Sequence, residues 1–392
     1  MIDRLSLKAH SFTESVIREM TRLNLQLNGQ EKAINFAQGF PDFDTDPRIV
    51  DAAAKALRDG YNQYATTWGA PQLRQAVSRK QSTAWGRQVD PDTEITVSCG
   101  ATEAMIAAML AAVDPGDEVI VFEPFYENYG PDCIISGAVP RYVTLRPPDW
   151  SLDPDELRRA FNHKTRAIVV NTPHNPTGKV YSEAELELIA QLCIEHDAIA
   201  ITDEIYEHLV YRGRHISLAT LPDMRERTIT ISGASKTYSV TGWRIGWLIA
   251  PPALTAGIRK VHDFLTVGAA HPLQVAIASA LELPPSFYVE LLGDYQERRE
   301  AIVTGLRECG FKVEAPDGAY YVMAGIEAFG FDDDVAFSRH LIETAAVATV
   351  PASSFYYEQS KGRGQVRFSF PKRIDTIERG LDAMRALLVR GS

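Results

Sequence analysis

Between residues 94 and 250 the chain keeps changing its hydrophobic period, and that alternation limits the folds open to it. Short apolar, β-branched runs recur: EITV (94–97), EVIVF (118–122), RYVTL (141–145), TRAIVVN (165–171), AIAIT (198–202), TITIS (228–232) and IGWLIA (245–250). Between them lie segments with helical spacing, such as 102–113 and 182–196. Alternation of this kind predicts βαβ units and an α/β fold built on a mostly parallel, seven-stranded sheet. Open sheets of this class bind ligands beyond the carboxyl ends of their strands. Nearly every unusual polar cluster in the chain directly follows one of the seven runs.

The last hundred residues read differently. A polar-apolar helix (286–309) is followed by short strands around FKVEA, YYVMAGI and QVRFSF and a final helix from Ile374. The expectation is a large domain over 45–290 and a smaller α+β domain made of 1–44 and 291–392. A net charge of −11 argues against nucleic-acid or anionic-membrane surfaces. The four cysteines are widely spaced, which fits a reducing compartment rather than a disulfide framework or zinc site. MIDRLSLKAHSF lacks the apolar core of a signal peptide, and AMIAAMLAAV (104–113) is too short to span a bilayer, so a cytoplasmic location is expected.

One lysine stands apart. In SGASKTYSVTGWRIGW (232–247), Lys236 is surrounded by small and hydroxyl residues, with Arg244 following. The stretch is no phosphate loop, because Ser235 and Thr230 occupy the positions where such a loop needs glycine. A surface lysine is the plain alternative. The sharper one is a lysine whose amine condenses with a carbonyl cofactor, pyridoxal 5′-phosphate, which also needs an acid for its ring nitrogen. Such a lysine must be partly unprotonated, and desolvation with a nearby cation achieves that.

The rest of the chain can meet or fail the demands of this reading. Asp203, in TDEIY, ends one of the apolar runs and offers the acid, although a helix N-cap would use Asp in the same place. Gly100, Ala101 and Thr102, in SCGATEAM, offer backbone N–H groups at a helix start for a phosphate, with Arg244 as the fixed charge. NTPHNPTG (171–178) offers asparagine donors on a proline-stiffened turn, and Tyr206 is a second donor. PFYENY offers Phe125, Tyr126 and Tyr129 as a ring platform. Each signal has a plain structural explanation; their succession after consecutive strands is harder to explain away.

With these motifs in place, the chain resembles the class I/II aminotransferases of pyridoxal-phosphate fold type I. INFAQGFPDF, YNQYATTWGAPQLRQAV, NTPHNPTGKVY, TDEIYEHLVY and SKTYSVTGWRIGW are similar to the branch holding kynurenine aminotransferase, glutamine transaminase K and methionine aminotransferase. The resemblance implies that Lys236 holds the cofactor and shuttles the proton. Asp203 pairs with the pyridine nitrogen, while Asn175 and Tyr206 bond the phenolate oxygen. It places Tyr126 on the ring and Gly100, Ala101, Thr102 and Arg244 on the phosphate. It implies a homodimer in which Tyr64 reaches the partner's cofactor, and an α-carboxylate clamp of Arg367 with Gly39 and Asn175. Relatives often carry serine where Gly233 stands, so Ser232 and Ser235 both remain candidates for a phosphate contact. The expected activity is transfer of an amino group from an aromatic, sulfur-containing or glutamine-like amino acid to a 2-oxo acid. β-Elimination or another lyase or cyclase reaction, and aspartate transamination, are the alternatives on this scaffold. DFDTDP (42–47) lacks the glycine and glutamate of a calcium loop and reads as a capping loop; DDD (332–334) reads as a helix start.

Overall fold

All seven runs enter one sheet in the computed structural model, which describes residues 5–390. Expectations that touch residues 1–4 and 391–392 lie outside the described residues. In spatial order the strands are Ile95–Ser98, Gly246–Ile249, Thr228–Gly233, Ile199–Asp203, Thr165–Asn171, Glu118–Glu123 and Val139–Thr144. The middle strands are buried on both faces, which is why their sequences run apolar without alternation. All pairings are parallel except the two made by Gly246–Ile249. The cause is the connection before it. Residues 234–245 hold only a four-residue helix, Ala234–Thr237, and a short 3-10 turn, Thr241–Trp243. A parallel return needs a crossover long enough to travel back along the sheet, so this strand comes back antiparallel.

The helix expected at 102–113 spans Gly100–Ala112 and is buried along most of its length, which accounts for its apolar sequence without a membrane. The helix expected at 286–309 spans Pro285–Glu308. Among the described residues no single helix is long and apolar enough to cross a membrane. Asp46 caps the helix Pro47–Arg58 through the Arg48 N–H, and Asp333 caps Asp334–Ala345 through the Ala336 N–H. Both acidic stretches therefore act as caps.

A second, antiparallel sheet runs in the order Val350–Pro351, Gln365–Ser369, Tyr321–Gly325, Lys312–Val313. Ile34–Asn35 pairs with Val347–Ala348, and the Ser369 N–H donates to the Phe36 carbonyl at 2.8 Å. These bonds carry residues 36–40 from the N-terminal part of the chain onto the face of the second sheet.

Candidate active site

The strand ends set the first part of the site. Asn171 and Asp203 are register partners, and Asp203 pairs in turn with Ile231, two residues before Gly233. No α-helix begins at Asp203, so the N-cap explanation fails; the residues after it form turns. The residue is buried, with 8% of its surface exposed. It accepts from the Tyr129 hydroxyl at 2.8 Å and the Ile205 N–H at 3.3 Å. Burial pushes the Asp203 carboxyl up, and the Tyr129 bond, the Ile205 N–H and the Lys236 charge pull it back. The doubled asparagines also find their reason. Asn171 donates from Nδ2 to the Asp203 carbonyl at 2.8 Å and accepts the Asn175 N–H at 2.7 Å, so one side chain ties the two strand-end loops together.

Lys236 sits in the short helix Ala234–Thr237 that follows the strand Thr228–Gly233 and is half-buried, opening into a cavity that Asp203 also lines. Its Nζ donates to the Gly39 carbonyl at 3.1 Å and faces the rings of Tyr206 and Tyr320. Burial, then the charges of Arg244 and Arg367, push its amine down to about 8, with Asp203 opposing. The amine is therefore far easier to deprotonate than an ordinary lysine, as the sequence reading required. Of the two serines, Ser235 lines the cavity, whereas Ser232 donates to Glu207 at 2.8 Å.

Across the cavity lies the start of the helix Gly100–Ala112. Gly100 has φ +82°, and a Cβ there would come within 2.5 Å of an Arg244 guanidinium nitrogen. A Cβ on Gly246 would lie 2.6 Å from the Ala101 nitrogen. Two glycines thus let the arginine and the helix start approach closely. Arg244 donates to the Thr241 carbonyl at 3.1 Å and toward the Thr102 hydroxyl at 3.4 Å, and it remains exposed at the rim. The donor set fits pyridoxal phosphate: an anion cradle at a helix N-terminus, a buried acid at the other end for a ring nitrogen, and a low-pKa amine between.

The remaining expected residues come from the second sheet and the 36–40 segment. Arg367 is 1% exposed. It donates to the Asn175 side-chain oxygen at 2.9 Å and the Ala37 carbonyl at 2.6 Å, and its guanidinium lies over Tyr321 and against Phe355. Its Nε has no partner, and no carboxylate pairs with it among the described residues. A buried arginine held at both ends without a counter-ion is arranged to receive a carboxylate. Because the Asn175 oxygen faces Arg367, its amide nitrogen is left to donate elsewhere. Tyr206 shares a 2.8 Å hydrogen bond with Tyr321, and Tyr126 lines the cavity edge-on to Tyr129. Tyr64 is not brought in: it is 84% exposed and outside the cavity lining.

Three participants have roles the sequence does not disclose. From the sequence Tyr129 is only a possible ring platform, yet it holds Asp203. Tyr320 and Tyr321 were read as strand residues, yet Tyr320 donates to the Gly39 carbonyl at 2.7 Å and Tyr321 bonds Tyr206. The spacing PFYENY places an aromatic at both positions, but nothing in it says which hydroxyl meets an acid.

Comparison with known proteins agrees with this geometry. The family described as aminotransferase class I and II matches residues 31–384. A probable N-succinyldiaminopimelate aminotransferase of Mycobacterium tuberculosis is 39% identical, the match covering 97% of each chain. Kynurenine–oxoglutarate transaminase 3 of Mus musculus is 37% identical over 92% of this chain and 86% of its own. Methionine aminotransferase of Escherichia coli is 36% identical over 91% and 93%. Among solved structures, the N-succinyldiaminopimelate aminotransferase of M. tuberculosis superposes with a TM-score of 0.94, covering 98% of this chain and 100% of its own at 39% identity. The aspartate aminotransferase of Thermus thermophilus superposes at 0.91, covering 98% and 100% at 33%.

Proposed function

We propose a donor preference and a set of residue roles for this chain, which belongs to the class I and II aminotransferases. The chain is an aminotransferase acting on amino acids and 2-oxo acids, and its family uses pyridoxal phosphate. The reading is that it favours aromatic, sulfur-containing or glutamine-like L-α-amino acids over aspartate. The carrying observation is the buried Arg367 without a counter-ion, held by Asn175 and the Ala37 carbonyl and lying against the rings of Tyr321 and Phe355. A planar guanidinium takes both oxygens of an α-carboxylate, and flat apolar walls select the side chain.

The cofactor, when bound, supplies a carbonyl for covalent attachment and a ring that withdraws electrons from the substrate α-carbon. The chain does the rest. Lys236 provides the attaching amine and, once free, the base that removes and returns the α-proton. Asp203, steadied by Tyr129, keeps the ring nitrogen protonated. Asn175 and Tyr206 donate to the phenolate oxygen. Gly100, Ala101, Thr102, Ser235 and Arg244 hold the phosphate. Tyr64, exposed on this chain, completes the phosphate site of a second copy, which makes the active form a homodimer.

A donor panel read by cofactor absorbance tests the preference. Methionine, phenylalanine, kynurenine and glutamine should each exceed aspartate in kcat/KM; the opposite order overturns it. A second reading has its own observation. A hollow of about 350 Å³ at the helix Val16–Lys32 is lined by Arg18, Arg22 and Gln38, the last adjacent to Gly39. Arg18 there, beside an Arg22 that pairs with Glu14 at 3.7 Å, suits a long donor ending in a carboxylate, such as the N-succinyldiaminopimelate named for the relatives. That donor belongs in the same panel, and a kcat/KM well above methionine's would favour it.

A further inference from the structure

Lys372 takes no part in the roles above, yet it is 2% exposed. No carboxylate lies within ion-pair distance of it among the described residues. Burial pushes its amine down to about 8, with Asp42 opposing from a distance. A cation desolvated without a counter-ion costs several kcal/mol unless other groups receive its protons. Here the receivers are backbone carbonyls. Its Nζ donates to the Phe40 carbonyl at 2.7 Å and toward the Gln38 carbonyl at 3.5 Å, and lies 4.4 Å from the Phe40 ring centre.

The segment it holds is the one that carries Gly39. Asn35 accepts the Ala37 and Gln38 N–H groups. Arg367 takes the Ala37 carbonyl, Ser369 the Gln38 carbonyl at 3.0 Å, and Tyr320 and Lys236 the Gly39 carbonyl. Among the described residues the Gly39 N–H has no acceptor, and a Cβ at that position would lie 2.2 Å from the Tyr321 hydroxyl. A plain structural role for the ammonium, fixing its own stretch of chain, is already filled: the Lys372 carbonyl accepts from Arg298 at 2.8 Å, and the Arg373 N–H donates to Asp42 at 2.6 Å.

We propose that Lys372 is a positioning residue, whose ammonium locks the Gln38 and Phe40 carbonyls so that the free Gly39 N–H stands beside Arg367 as a second donor to the substrate α-carboxylate. This inference rests on the α-carboxylate reading of Arg367.

The test uses the holoenzyme and two variants. Lys372→Met keeps the stem and removes the donors; Ser369→Ala removes the other side-chain donor on the Gln38 carbonyl. Each is assayed with phenylalanine and with 2-phenylethylamine, which lacks the carboxylate, in single turnover. Wild type should react far faster with phenylalanine. In Lys372→Met the KM for phenylalanine should rise roughly tenfold, as for loss of a charge-assisted bond, with kcat within about threefold. The phenylethylamine rate and the substrate-free spectrum should be unchanged, and Lys372→Arg should restore part of the loss. An unchanged ratio of the two substrates, an equal loss on both, or a fall confined to kcat overturns the proposal. If Lys372→Met does not fold, Ser369→Ala decides: a smaller rise in KM for phenylalanine alone supports the proposal, and none overturns it. If wild type itself shows no preference for the carboxylate, the Arg367 reading fails instead, which is a distinct result.

Discussion

The two halves of the site are assembled by opposite means. On the cofactor side, Asn171 and Asp203 end strands of one sheet, and Gly100 and Lys236 lie within three residues of strand ends, so a short motif and a strand end place them. On the substrate side, Arg367, Ser369 and Lys372 reach residues 37–40 across 330 or more positions of sequence. The first half is positioned by local geometry and the second by docking of two distant segments. The cofactor side should therefore fail in chemistry when altered, and the substrate side in binding.

The largest effect expected is at Lys236. Lys236→Ala removes both the attaching amine and the base, and turnover should vanish while the fold, read by circular dichroism, persists. Normal turnover in that variant would end the whole reading. Asp203→Asn comes next. An amide cannot hold the ring nitrogen protonated, so kcat should fall by at least about a hundredfold, the scale of a lost catalytic proton contact. A loss of thermal stability with kcat preserved would make Asp203 structural. Third, and on the other side of the comparison, Arg367→Ala should lower kcat/KM for every donor by roughly ten- to two-hundred-fold, the worth of a charge-assisted pair. Arg367→Lys should recover only part, since an ammonium lacks the fork. Damage to one donor only would assign Arg367 to side-chain selection.

The same contrast explains what the sequence disclosed. The strands were legible because a two-sided, buried sheet demands unbroken apolar runs, and the residues proposed for the cofactor could be picked out because they lie at or just past the ends of those runs. The antiparallel return of Gly246–Ile249 was not, since it depends on how little helix fits in 234–245. Arg367 could be placed only through the family resemblance: an arginine in QVRFSF looks like any strand arginine until the segment 36–40 is laid against it. Lys372 carried no signal at all, because its partners are backbone carbonyls and a carbonyl has no letter in the sequence. Tyr129 shows the limit within the legible half, where the motif supplies two tyrosines and only the fold chooses which meets Asp203.

That choice gives a fourth, smaller effect. Tyr129→Phe removes a donor to a buried carboxyl that desolvation already pushes up. Asp203 should then ionise less readily, and kcat should drop about tenfold, the loss of one bond to a charged group. KM for the donor should stay nearly level, because the lost hydroxyl bonds Asp203 and the ring that packs on Tyr126 is kept. Swapped outcomes, with KM raised and kcat level, would break the division between the two halves.

The smallest effect is a shift in a titration, and it compares the halves on one atom. The neutral Lys236 amine is the form that captures a carbonyl, so capture of pyridoxal phosphate by cofactor-free protein should speed up as pH rises and level off above about 8, the value to which burial and nearby cations bring that amine. An unperturbed lysine would keep accelerating toward about 10.4. Stopped-flow absorbance from pH 6.5 to 9.5 distinguishes the two, and continued acceleration to the top of that range would mean the amine is not desolvated. Arg244 stands on the cofactor side and Arg367 on the substrate side, and both charges push the amine down, Arg244 more strongly. Replacing either with glutamine removes a neighbouring cation and should move the midpoint upward. The shift should be greater for Arg244→Gln than for Arg367→Gln, by less than about one pH unit in each case, since desolvation contributes most and both variants retain it. Slower capture in Arg244→Gln through a weaker phosphate grip changes the rate at every pH and leaves the midpoint free to report the charge. An equal or reversed order of the two shifts would place Lys236 nearer the substrate half than its contacts with the strand ends imply.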